Sequence, residues 1–168
     1  MILLLMALGT AQAGITADRT GGYVDVTGGF GLADGPALAT HLSFGAWRGK
    51  YDEDLSFGRY WGGGLTLRQD WAGNGVRTAY MLEARRGMDL VVVGVHGFVA
   101  GGALLVQPGV GLGDVGGTAR LGGAAEFRRS RTLGVALRLE AGVDAVNGRI
   151  TPAGAVTLGV QSQLAGRR

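Results

Sequence analysis

The feature that most constrains this chain is a strict two-residue alternation that recurs along most of its length. Over residues 133–145 the odd positions are Leu133, Val135, Leu137, Leu139, Ala141, Val143 and Ala145. The even positions between them are Gly134, Ala136, Arg138, Glu140, Gly142 and Asp144. Successive side chains of a strand point to opposite faces, so this segment reads as a strand with one aliphatic face and one charged face. Residues 156–164 repeat the pattern, with Val156, Leu158, Val160 and Leu164 opposed to Thr157, Gly159, Gln161 and Gln163.

The same two faces appear upstream. Val24, Val26, Phe30 and Leu32 alternate with Tyr23, Asp25 and Thr27; Leu38, Leu42, Phe44 and Ala46 alternate with His41, Ser43 and Trp47. Leu55, Phe57, Trp61, Leu65 and Leu67 oppose Tyr60, Thr66, Arg68 and Asp70, with Arg59 at one end where a long side chain can snorkel. Val76, Thr78, Tyr80, Leu82 and Ala84 oppose Arg77, Met81, Glu83 and Arg85, and Ala119, Leu121, Ala125 and Phe127 oppose Arg120 and Glu126. Residues 90–106 form an apolar run with His96 as its only ionisable group. Its glycines and valines favour strand over a membrane helix.

Turn pairs fall between these runs at Asp34-Gly35-Pro36, Asn74-Gly75, Pro108-Gly109 and Asn147-Gly148. Polar clusters at 48–54, 86–89 and 129–131 mark the remaining connections. The segmentation predicts eight strands, over 22–33, 37–47, 55–70, 75–86, 89–106, 110–129, 132–146 and 153–164. A membrane barrel needs about 9–11 residues per crossing strand, which leaves little chain for loops.

Composition decides what the two faces meet. The chain has 34 glycines in 168 residues, which disfavours a helical bundle, and its 46% hydrophobic content excludes disorder. Only 17% of residues are charged, whereas a soluble surface alone would want about 25–35%. Residues 2–8 (ILLLMAL) followed by Ala11-Gln12-Ala13 read as a signal peptide over 1–13, with residues 14–168 as the barrel. No Lys or Arg precedes that run, which would fit a start internal to a longer leader. Cysteine is absent, so neither disulfides nor a lipid-bearing Cys is expected. The expected fold is all-β: an antiparallel up-and-down transmembrane β-barrel, with aliphatic residues against lipid and the charged face lining the lumen. That inward set is Asp25, His41, Arg68, Arg77, Glu83, Arg85, His96, Arg120, Glu126, Arg128, Arg138, Glu140 and Asp144. An eight-stranded barrel is just wide enough for side chains to fill, and buried charges there must pair. Pairing of the sixth and seventh strands would bring Glu126 near Arg138 and Glu140 near Arg120. The lumen is expected to be plugged by these Arg/carboxylate pairs.

In its leader, dyad repeats, glycine-rich alternation and final amphipathic strand, the chain resembles the small eight-stranded outer-membrane β-barrels of the OmpA/OmpX type. The resemblance implies the bacterial outer membrane, a monomer, lipid partners with lipopolysaccharide among them, and the outer-membrane insertion machinery. Such barrels end in an aromatic residue; here the last strand reaches Leu164 and runs into Ala165-Gly166-Arg167-Arg168. With both termini in the periplasm, the longest connection, 48–54, would lie on the periplasmic side, whereas the family keeps long loops outside.

Signals for chemistry are sparse. His41-x-Ser43, with Glu53 further on, is similar to the catalytic set of outer-membrane lipid A deacylases, which gives an alternative reading as a lipid A-modifying esterase. The bland reading, two polar lumen residues, is preferred, and no enzyme activity is expected. A second alternative is a soluble periplasmic lipocalin-like barrel enclosing an apolar ligand. Gly-rich strings such as 61–64 and 113–117 lack the Lys and helix of a phosphate loop. Two histidines without an acidic cluster at ligand spacing suggest no metal, and no cofactor is expected. The net charge of +3 is spread over strands, so nucleic acid is not an expected partner; Arg128, Arg129 and Arg131 suggest contact with lipid phosphate. Trp47, Trp61, Trp71, Tyr60 and Tyr80 are candidates for interfacial girdles.

Overall fold

The computed structural model describes residues 16–52, 57–73, 75–90, 92–109, 113–128 and 133–165. The leader expected over 1–13 lies outside them. Eight antiparallel strands run β1 (Thr16–Ala33), β2 (Pro36–Asp52), β3 (Phe57–Ala72), β4 (Gly75–Leu90), β5 (Val93–Pro108), β6 (Asp114–Arg128), β7 (Leu133–Val146) and β8 (Arg149–Ala165). Each pairs with its sequence neighbours, and β8 pairs back onto β1 to close a barrel.

The closure is staggered. Following paired residues around the wall from Tyr23 leads through Gly45, Gly64, Glu83, Ala100, Arg120, Gly142 and Ala153, and returns to β1 at Ala33. The walk gains ten residues along β1, from 23 to 33. A stagger of that size tilts the strands by about 35–45° and leaves an interior that side chains can fill.

β1, β2, β4 and β8 outrun their expected bounds at the rims, whereas β5 and β6 begin four residues later than expected, at Val93 and Asp114. Residues 48–52 continue β2 and 86–89 continue β4, where the sequence reading placed connections. There the outward face turns polar, with Arg48, Lys50 and Arg86, while the inward face keeps polar groups such as Asp89, so the apolar–polar alternation fades while pairing continues. The connection expected over 48–54 therefore shrinks to 53–56, and the longest one, 109–113, lies at the opposite end. All four expected turn pairs sit at that opposite end. Asp34 (φ 62°), Gly35 (φ 132°), Asn147 (φ 51°) and Gly148 (φ 75°) adopt the left-handed backbone that tight hairpins require.

Candidate functional site: the lumen

Alternate residues of every strand turn inward, and the inward set is largely polar, with a small apolar cluster at Ala79, Met81, Ala100 and Leu104. Asp25, His41, Arg68, Glu83, Arg85, His96, Arg120, Glu126, Arg138 and Asp144 are all buried. The outward set is the reverse. One row of paired residues runs Val135, Val160, Val26, Leu42, Leu67 and Tyr80; another runs Leu139, Val156, Phe30, Leu38, Trp71 and Val76. Phe30 and Leu82, at 76% and 70% exposure, show how bare this wall is. An apolar band of this extent is unfavourable against water and suited to acyl chains. The arrangement is opposite to that of a water-soluble barrel holding an apolar ligand, which corrects the lipocalin-like alternative.

At mid-height Glu83 is the hub. Its Oε1 accepts from Arg85 Nη2 at 2.6 Å and its Oε2 from Arg138 Nη2 at 2.8 Å and Thr66 Oγ1 at 3.1 Å. Arg85 Nη2 also donates to Asp25 Oδ2 (2.9 Å) and Ser43 Oγ (3.1 Å). Both guanidinium groups lie over aromatic rings, with the Arg85 Cζ 3.4 Å from the Tyr23 centroid and the Arg138 Cζ 3.5 Å from that of Phe98. Glycine makes the room. A Cβ at Gly45 or Gly64 would sit 2.7 Å from the Tyr23 hydroxyl, and one at Gly122 would sit 2.6 Å from Phe98 Cζ.

Towards the turn end, Arg68 bridges Asp70 (2.7 Å) and Glu140. Asp144 takes Arg120 at 2.5 Å, Thr118 Oγ1 at 2.8 Å and, from across the lumen, Arg77 at 3.4 Å. Arg77 also reaches Asp34 in the first turn at 3.2 Å. Towards the termini, Arg128 pairs with Asp89 (2.5 Å) and Glu126 (3.3 Å), and the Tyr51 hydroxyl donates to Asp89 at 2.8 Å. His96 Nδ1 lies 3.1 Å from both Glu126 Oε1 and the Tyr60 hydroxyl.

Two expected partnerships are not formed. Glu126 pairs with His96 and Arg128 rather than Arg138, and Arg120 pairs with Asp144 rather than Glu140. Arg138 instead spans the lumen from β7 to Glu83 on β4, while also touching Glu140 at 3.3 Å. Long side chains in a narrow tube reach opposite walls as readily as neighbouring strands, and strand pairing alone does not reveal that. Asp70 and Asp89 also belong to the network but were absent from the expected set. Asp70 shares its parity with Arg68, a signal available in the sequence. Asp89 was obscured by its placement in a connection.

Other assignments change as well. Trp47 and Tyr60 face inward, with ring centroids 6.3 Å apart, so they form no outer girdle; Trp61, Trp71 and Tyr80 do face outward. Arg128 points into the lumen rather than to lipid phosphate, and Arg129 and Arg131 lie outside the described residues. Ser43 and His41 are inward and fully covered. Ser43 Oγ contacts Arg85 and Thr66 at 3.1 and 3.2 Å, and neither His41 ring nitrogen has a hydrogen-bond partner. An activated serine needs its base within hydrogen-bond reach, and this pair lacks that contact. Glu53 lies outside the described residues. Among the described residues no cluster of three or more His, Asp or Glu could hold a metal ion.

No family model matches the chain, and no curated protein matches it in sequence. Solved structures resemble it in fold. Neisserial surface protein A (NspA) superimposes with a TM-score of 0.51 at 13% identity, covering 85% of this chain and 96% of that one. Ail, the attachment invasion locus protein of Yersinia pestis, in complex with the heparin analogue sucrose octasulfate, gives 0.48 at 12%, covering 88% and 99%. The fold is that of a small outer-membrane barrel: an eight-stranded, antiparallel, up-and-down transmembrane β-barrel.

Proposed function

We propose that this protein resides in the bacterial outer membrane as a structural barrel with an envelope-interaction role, and that it performs no catalysis. The observation that carries the reading is the inversion of its two faces, apolar outside and charged within. Residues 1–13 act as the export leader, and the insertion machinery and membrane lipids are its partners. The barrel works as a monomer.

The lumen is plugged. Four arginines (Arg68, Arg85, Arg120 and Arg138) are each 3% exposed or less, and each lies against a carboxylate, which supports this reading. The turns opposite the termini are short, three of them only two residues, which favours a structural role over specific adhesion. The test combines fractionation with planar-bilayer recording. Recovery with outer membranes, heat-modifiable migration in detergent and the absence of steady current are expected. Recovery in the aqueous fraction would overturn the location, and a stable conductance would overturn the plug. A Ser43→Ala variant should leave lipid A mass spectra unchanged.

A further inference from the structure

The outer wall is not uniform. On β2, β3 and β4 the outward residues Arg48, Trp61 and Arg86 are paired neighbours in one row, and Lys50, Arg59 and Met88 form the next. Both rows lie towards the end that carries the termini and connections 53–56, 91–92 and 129–132. Arg48, Lys50, Arg59 and Arg86 are exposed, and Trp61 is 63% exposed. Strands about 4.8 Å apart and residues two apart along a strand place the Cα atoms of these four residues within roughly 12 Å of one another.

Their surroundings define what they fit. Above them on the same strands comes a row of small residues, Ala46, Gly63 and Ala84, and then Phe44, Leu65 and Leu82 of the apolar band; Phe57 and Leu90 follow on the side of the termini. Towards the same end, β5, β6 and β7 present Val95, Phe127, Leu133 and Val135 outward, so the cations are confined to one sector. Asp18 meets Arg48 at 3.2 Å, and Arg59 lies 5.8 Å from the Phe57 ring centroid. Lys50 and Arg86 have no ion pair among the described residues. The opposite rim exposes charges of both signs, Arg149, Asp114 and Asp34, rather than a cluster of one sign.

We propose that this sector is a docking surface for anionic glycerophospholipid in the leaflet at the termini end. The guanidinium and ammonium groups bind the headgroup phosphate, and the Trp61 indole packs on the glycerol and upper acyl region. The inference rests on the transmembrane reading above. Aromatic rings and cations at the border of an apolar band suit such a contact, since one end meets hydrocarbon and the other meets charge. Arginine adds bidentate phosphate geometry to simple attraction.

The test uses the full chain in bilayers with spin-labelled phosphatidylglycerol or phosphatidylcholine, comparing the motionally restricted fractions. A preference for phosphatidylglycerol on the order of five-fold is expected, the equivalent of one favourable cation–headgroup contact. It should vanish in Arg48→Gln/Lys50→Gln/Arg59→Gln/Arg86→Gln, shrink in Arg86→Gln alone, and survive Arg149→Gln. Equal restriction of both lipids around an inserted, heat-modifiable barrel would overturn the docking surface while leaving the transmembrane reading intact. Failure of the wild-type chain to insert would instead overturn that reading. A stronger preference for labelled lipid A, lost in the fourfold variant, would overturn the choice of phospholipid as the occupant.

Discussion

Leu82 and Glu83 are neighbours on β4 and sit in opposite media. Leu82 is 70% exposed on the outer wall, and Glu83 is 3% exposed at the centre of the lumen. Away from the cationic sector at the termini end, the outer wall is nearly one substance, repeated aliphatic side chains whose solvent is lipid, and no single residue is indispensable to it. The lumen is the reverse. Each charge there is balanced by particular partners, so its members are not interchangeable. The barrel thus combines a tolerant exterior with an intolerant interior, both written on the same strands.

Breaking the interior should have the largest effect. Glu83→Ala would leave Arg85 and Arg138 buried with their central partner gone, at a cost of about 3–5 kcal/mol. Urea unfolding of the bilayer-inserted protein measures it. A Glu83→Met/Arg138→Met pair should lose less than the two single changes together, because the charge imbalance is relieved. On the outside, Leu82→Arg should cost about 2–4 kcal/mol in the same assay. Arginine at the rim residue Ile150 should cost about 0–1 kcal/mol, since the penalty falls with distance from the bilayer centre.

A smaller effect should follow from filling space rather than moving charge. Gly45→Ala places a Cβ 2.3 Å from the Gly63 carbonyl oxygen and 2.7 Å from the Tyr23 hydroxyl. The wall and the Tyr23–Arg85 stack must shift, for about 1–3 kcal/mol of destabilisation. Smallest of all, Arg48→Gln breaks only the exposed pair with Asp18 and should change unfolding by about 0–1 kcal/mol. A large loss at Arg48, or none at Glu83, would erase the distinction between the two surfaces.

The strand count and the assignment of faces were legible because period-2 alternation survives wherever one side meets lipid and the other a packed lumen. Legibility ended at the rims. Residues 48–52 and 86–89 carry polar groups on both faces of their strands and resemble loops in sequence. Within the lumen, membership was largely readable from parity, as for Arg68, Glu83 and Arg138. Partnership was not. Whether Arg138 meets Glu126 beside it or Glu83 across the tube depends on stagger and side-chain reach, which local pattern does not encode. Trp47 makes the same point: aromatic character suggests a girdle, but its odd position on β2, shared with His41 and Ser43, turns it inward against Tyr60.

The chain contains no cysteine, so single cysteines can report on each face without background. Spin labels at Leu82→Cys, Leu139→Cys and Leu158→Cys in a bilayer should collide freely with dissolved oxygen and be shielded from a water-soluble nickel complex. Labels at those three positions that are open to the nickel complex, or immobilised as in a packed protein core, would contradict the account.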